Sequence, residues 1–293
     1  MRRFTRILLI ALVGVAPLLG SSLNAAEPAV EHSRSTAEEL AESFVAAWNA
    51  GKPLPALSRI APELNLRQAY KIQRTWVQQT LDDDGIGGIK GGVVTPAGQK
   101  WLGITEPVGA ILRASGRFEG RDSPVISRQR FPGLKLECEI GFTIGSPLLK
   151  RPESVDELQQ HISGIIPVIE LISGDWEGPA GERPTAAELA AINVIAAGYI
   201  VGHPVAKDQI NPKAIPLNLS RNGDVINTAK GSDCWEGPWE TALWLAQFAH
   251  DQGVPLTKGQ VIICGALGKI LEAEPGDYHY NAGDLGAFSF SVK

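Results

Sequence analysis

The chain has 293 residues, of which 44% are hydrophobic and 20% charged, a makeup that fits a folded globular protein and excludes the apolar-poor, highly charged regime of disordered chains. Its 27 Lys and Arg against 32 Asp and Glu give a net charge of −5 with no basic cluster, which argues against nucleic acid as a partner, since neutralising phosphates needs grouped cations. Cys138, Cys234 and Cys264 lie too far apart for a zinc ribbon or a Cys-x-x-Cys redox site, although one disulfide fits their number.

Arg2, Arg3 and Arg6 precede an apolar run over residues 7–20 that is too short to span a bilayer as a helix, and Ser21, Ser22, Ala25 and Ala26 follow it. This order predicts a signal peptide over 1–26, cleaved near Ala25 or Ala26, and a periplasmic or secreted protein with no membrane attachment after cleavage. Residues 27–34 read as a loose mature N-terminus. Thr36 with Glu39 forms a capping-box pattern ahead of Leu40, Phe44, Val45 and Trp48, and Gly51 with Pro53 ends that helix. Asn65 caps a second helix bearing Leu66, Ala69, Tyr70, Trp76 and Val77 on one broad face. From Ile86 the period shortens, and Gly85, Gly87, Gly88, Gly91 and Gly92 surround Lys90.

Helices are predicted again over 154–161, over 185–197, where Thr185 and Glu188 repeat the capping box, and over 238–251, closed by Gly253. Strands are predicted over 136–144, 165–172, 199–205, 217–219, 225–228, 261–264 and 285–292. Pro216 suits the first residue of an edge strand, and Asn222-Gly223 suits a tight hairpin turn that needs positive φ. Because strands do not alternate regularly with long helices, the fold class is α+β with much antiparallel pairing, not a doubly wound parallel sheet. A single domain over 27–293 is expected, with 27–85 its helical N-terminal part and 86–293 its sheet.

The chemistry starts at Leu136-Glu137-Cys138-Glu139-Ile140. In a strand, Glu137 and Glu139 share one face, roughly 6–7 Å apart, while their neighbours take the other. That face is either an ordinary solvated one or a site. Glu170 lies inside the apolar run Pro167-Val168-Ile169-Glu170-Leu171-Ile172, so its charge needs compensation. A divalent cation shared with Glu137 and Glu139 would supply it, and oxygen ligands suit Mg2+ or Mn2+; a salt bridge to Lys90 or a protonated core acid is the alternative. Lys90, flanked by glycines in Ile89-Lys90-Gly91-Gly92, could reach a bound anion or sit at a strand edge. His32, His161, His203, His250 and His279 are scattered and read as structural or exposed, and Trp235, Trp239 and Trp244 as packing.

At these residues the chain resembles the fumarylacetoacetate hydrolase superfamily, in its branch of 2-oxopent-4-enoate hydratases and 4-oxalocrotonate decarboxylases. The Glu-x-Glu at 137 and 139 followed by Glu170 carries the resemblance. Lys90 with Gly92, Gln99, Leu102-Gly103 before Pro107, Asn193 with Gly202, Trp244-Leu245-Ala246, Gly265 and Gly276-Asp277 support it. The resemblance implies a mixed β-roll with one Mg2+ or Mn2+ on Glu137, Glu139 and Glu170, a small 2-oxo acid chelating that ion, substrate contacts at Ser173 and Gly265, and a homo-oligomer. It implies a hydratase-type lyase of aromatic catabolism acting on a substrate such as 2-hydroxypenta-2,4-dienoate. In it Lys90 moves a proton or assists electrostatically, with a pKa that the nearby metal and apolar surroundings would lower. A 2-oxo acid decarboxylase, or a non-catalytic binder of metal or oxo acids, is the alternative.

Three departures from the family pattern stand out: Val108 after Pro107 where an acid is usual, Ser173-Gly174-Asp175 in place of Asp-Ser-Arg, and Ile192 in place of Asp before Asn193. The family's catabolic pathways run inside the cell, which the leader-like start contradicts.

Overall fold

The computed structural model describes residues 29–174, 176–178 and 183–293, with side chains from Ala37 onward. The leader expected over 1–26, and Asp175 of the altered motif, lie outside the described residues. The helices are α1 (Ala29–Asn49), α2 (Leu57–Ile60), α3 (Leu66–Gln79), α4 (Pro96–Leu102), α5 (Val155–His161), α6 (Ala186–Ala191) and α7 (Pro238–Asp251). The strands are β1 (Ile86–Gly92), β2 (Val108–Arg113), β3 (Arg117–Glu119), β4 (Val125–Ile126), β5 (Lys135–Ile144), β6 (Ile162–Ile172) and β7 (Ala196–Val201). They continue with β8 (Pro216–Arg221), β9 (Asp224–Lys230), β10 (Val261–Ile263), β11 (Leu271–Glu272), β12 (Gly276–Asn281) and β13 (Ala287–Val292). Among the described residues no helix is long and apolar enough to cross a membrane.

Two local readings fail at the start of the chain. The segment from Ala29 holds no Gly or Pro before Gly51, so α1 runs straight through Thr36, which therefore does not cap it, and the expected loose N-terminus is helical from Ala29. Asn65 does cap α3, its side chain accepting from the Gln68 N–H while the Gln68 side chain accepts from the Asn65 N–H. α3 is then fixed to its neighbours by buried donors: Trp76 Nε1 reaches Ala191 O at 2.7 Å, and Gln73 Nε2 reaches Gly109 O at 2.9 Å and Ala190 O at 2.7 Å.

The larger sheet has the order β2-β1-β10-β5-β6-β7-β3, with β11 pairing β5, and the smaller one β4-β13-β12-β8-β9. β1–β10, β3–β7 and β4–β13 are parallel and the other pairs antiparallel, so the sheets are mixed. The large sheet curls until β2 approaches β7, giving a roll that is not a closed barrel. Its outer face carries Ile89, Ile111, Cys138, Ile140, Phe142, Ile169 and Ile200 into the main core. Its inner face carries Leu112, Val168, Tyr199, Val201, Val261 and Ile263, which form a second apolar cluster.

Pro216 opens β8 as expected, but β8 pairs with both β9 and β12 and is therefore not an edge strand. Asn222 and Gly223 turn the β8–β9 hairpin with φ of 52° and 92°. The helix predicted over 185–197 stops at Ala191. Asn193, Val194 and Ile195 follow with φ of 53°, 39° and 47°, three consecutive left-handed residues of which two are β-branched. Such residues cost of order 1–3 kcal/mol each. The side chain of Asn193 compensates by accepting from Ile111 N–H at 2.7 Å and donating to Ile111 O at 2.8 Å, so the turn is clamped to β2. All three cysteines are free, so no disulfide forms.

Candidate metal centre

β5 and β6 are antiparallel neighbours in which Glu137 stands directly opposite Glu170, and Glu139 lies one repeat further along the same face. All three point into the roll, so the shared face is interior and not solvated. Lys90 reaches it from β1, whose register through Ile263 of β10 to Gly141 of β5 places the lysine beside the acids. Glu139, Glu170 and Lys90 are 0% exposed and Glu137 5%. One oxygen from each carboxylate lies within 4.8 Å of the others. Lys90 Nζ and Glu170 Oε1 form an ion pair at 3.1 Å.

Hydrogen bonding is incomplete here. Lys90 Nζ, Glu139 Oε1 and both oxygens of Glu170 are buried without a hydrogen-bond partner, the ion pair lacking hydrogen-bond geometry. Glu139 Oε2 accepts from the Gly265 N–H at 2.5 Å, and the Tyr280 hydroxyl donates to Glu139 O at 2.9 Å. Gly265 has φ of 105°, and a side chain there would meet Gly91 O and Val94, so the backbone approaches the acid only because this residue is glycine.

Burial pushes the Glu137 carboxyl up to about 7, against the pull of Lys90 and with the push of Glu170. Burial also raises Glu139 well above the carboxylate range, and Glu170 and Glu137 add to it. For Lys90, burial disfavours the ammonium, yet the attraction of Glu170, Glu137 and Glu139 outweighs it and holds the group above its ordinary value. Of the causes expected to lower this pKa, burial in apolar surroundings does act downward, and the three carboxylates outweigh it.

When ionised, three acids and one lysine sum to two negative charges, which is the charge of one divalent ion. Orphaned carboxylate oxygens in an all-oxygen donor set fit a hard cation such as Mg2+ or Mn2+. Of the alternatives raised by the sequence, the salt bridge is present, Lys90 pairing with Glu170, and with all groups ionised the pair leaves two acids over.

The remaining expected residues divide. Gly265 meets Glu139 through its N–H. Ser173 does not join the cluster; its hydroxyl donates to Pro132 O at 2.7 Å, and it lines a separate cavity. Sequence reasoning gave no part to Tyr199, which stands opposite Glu170 in register, with a buried hydroxyl lacking a partner. Nor did it find the Asn193 clamp. A polar residue between a helix and a strand was the available signal, but its partner Ile111 is 82 residues away.

Residues 106–291 match the family described as Fumarylacetoacetate (FAA) hydrolase C-terminal, and the chain belongs to that family. Among curated proteins it is 29% identical over 245 residues to the 2-keto-4-pentenoate hydratase of Paraburkholderia xenovorans, covering 82% of this chain and 88% of the relative. It is 28% identical to the 2-oxo-hept-4-ene-1,7-dioate hydratase of Escherichia coli, covering 80% of this chain and 89% of the relative. Among solved structures, the 4-oxalocrotonate decarboxylase of Pseudomonas putida G7, complexed with magnesium and adipate, superposes with a TM-score of 0.79 at 20% identity, covering 89% of this chain and 98% of that one. That likeness shows the fold, a mixed α+β roll. The periplasmic or secreted location expected from residues 1–26 is overturned by these matches, which align the chain with hydratases over nearly their whole length.

Proposed function

We propose that the protein is a divalent-metal-dependent lyase of the hydratase type, acting on a small 2-hydroxydienoic or 2-oxo acid such as 2-hydroxypenta-2,4-dienoate. The observation that carries it is the buried set of Glu137, Glu139, Glu170 and Lys90, whose charge with all groups ionised is two short of neutral and in which Glu139 Oε1 and both Glu170 oxygens lack hydrogen-bond donors. The named hydratase relatives support the reaction type. Mg2+ or Mn2+ held by the three glutamates is the fitting cofactor; solved neighbours of the same fold carry magnesium or Mn2+ in their complexes.

A cation there supplies Lewis-acid stabilisation of the negative charge that develops on the substrate's 2-oxygen as the dienol becomes a ketone. In that change the 2-hydroxyl loses a proton and C5 gains one, which leaves a C3=C4 bond conjugated with the 2-oxo group. Water then adds with its oxygen at C4 and a proton at C3. Lys90, paired with Glu170, would present positive charge at Nζ beside the three acids and would hold or move a proton there. Gly265 orients Glu139. The apolar residues of the inner face, Val168, Val261 and Ile263 among them, exclude bulk water and strengthen these interactions. A single domain over 27–293 that assembles into a homo-oligomer completes the proposal.

The test incubates purified protein with Mg2+ or Mn2+ and 2-hydroxypenta-2,4-dienoate and follows loss of the dienol's ultraviolet absorbance, with product by mass spectrometry. Turnover that a chelator abolishes and added metal restores is the expected result. Absorbance loss no faster than without protein, across a panel of 2-hydroxydienoates, would refute the reading.

A further inference from the structure

A second cavity, of about 410 Å³, opens where the end of β2 meets the start of β7 beneath α1 and α3. None of Lys90, Glu137, Glu139 and Glu170 lines it. Among the described residues its charged lining is Lys52, Arg113 and Arg130 against Asp82, a surplus of two positive charges in a chain that is net −5. Among the described residues none of the three cations lies within ion-pair distance of a carboxylate. Its apolar lining includes the rings of Trp48 and Phe131.

Arg113 is the centre of this arrangement. It is only 9% exposed, its guanidinium lies 4.6 Å from the centre of the Trp48 ring, and its two terminal nitrogens donate to Thr80 O and Oγ1 at 2.5 and 2.6 Å. Its Nε is buried and has no partner. These two bonds use two of the five guanidinium N–H groups and fix its plane at the cavity wall. Arg130, stacked 5.1 Å from the Phe131 ring, donates among the described residues only a long 3.4 Å bond to Ser115 O. One fixed guanidinium, Arg113, with the exposed cations Arg130 and Lys52 beside flat rings, makes a site for an anion with a flat apolar body. A bare inorganic anion would leave the rings unfilled, and a neutral ligand would leave the charge uncompensated.

We infer that this cavity is a second binding site, distinct from the metal centre, for a small aromatic or conjugated carboxylate. The carboxylate meets the Arg113 and Arg130 guanidiniums with Lys52 close by, and the planar body lies against Trp48 and Phe131. This inference does not depend on the reaction proposed above.

Isothermal titration calorimetry of chelator-treated full-length protein with benzoate tests it, with benzamide as the neutral isostere. Saturable binding of one benzoate is expected, with benzamide weaker by about tenfold or more, the scale of a charge-assisted contact. Arg113 also supports Thr80, so the diagnostic variants are Arg130→Met and Lys52→Met, checked for unchanged circular dichroism; each weakens benzoate, and the pair together abolishes binding. Glu139→Gln, in the metal centre, leaves benzoate affinity as it is. No saturable binding, equal binding of benzamide, or loss of binding in Glu139→Gln would each overturn the inference.

Discussion

Replacing Glu170 by Gln keeps the side chain's shape and removes one charge from a site whose four charged residues are 0–5% exposed. With all groups ionised, the wild-type set of Glu137, Glu139, Glu170 and Lys90 carries two negative charges and one divalent ion balances them. The variant carries one, so the same ion leaves a positive charge uncompensated in the roll. An unpaired buried charge costs several kcal/mol, and at about 4 kcal/mol the metal affinity falls roughly a thousandfold. The metal-free fold suffers less: Lys90 loses its 3.1 Å partner but keeps the attraction of Glu137 and Glu139. Free Mn2+ measured by electron paramagnetic resonance during titration gives the affinity, and urea unfolding in chelator gives the stability. A variant that holds Mn2+ within about threefold of wild type, a difference under 1 kcal/mol, would show that the three acids do not act as one ligand set.

Three other substitutions separate the parts of the argument. Lys90→Met is expected to retain Mn2+ while kcat falls by about 10²–10⁴, the range of general acid–base catalysis; equal loss of metal would reassign Lys90 to holding the site together. Asn193→Ala strips both partners from the Ile111 backbone and is expected to cost about 2–5 kcal/mol in urea unfolding, with Asn193→Gly less costly because it relieves the positive φ. Equal losses for Ala and Gly would mean that the left-handed turn stores no strain at that residue. For Glu188, burial opposes its charge, but the Thr185 and Ser58 N–H groups donate to it at 2.9 and 2.8 Å and hold the carboxyl below its ordinary value. A depressed folded pKa stabilises fully above the unfolded value of about 4.5 and is lost as pH falls through the folded one. Glu188→Gln is therefore expected to cost about 1–2 kcal/mol at pH 7 and less as the pH drops below about 4, and a gap that widens on acidification would refute the assignment.

Much of this protein was legible as a linear pattern because the physics there is local. The cap at Asn65 and the capping box at Thr185 need only three residues' separation, and the period-two alternation around Glu137 and Glu139 puts both acids on one face wherever the strand lies. The solitary acid in the apolar run around Glu170 announced a compensated charge for the same reason. Strands whose sequence mixes glycine and polar residues, such as β12, escaped notice because pairing, not propensity, makes them strands.

What the amino-acid order determined, then, was the helix starts capped by Asn65 and Thr185, the hairpin at Asn222-Gly223, and which acids belong together. Tertiary structure alone decided which face of β5 turns inward, since a strand's alternation is the same for a solvated face and a buried one. It also decided which way the Lys90 pKa shifts, because its proton affinity depends on three carboxylates brought from strands up to 80 residues away in number, Glu170 being the furthest. The break after Ala191 was its decision too: a helical sequence gave way to a left-handed turn because Asn193 found both backbone groups of Ile111 within reach.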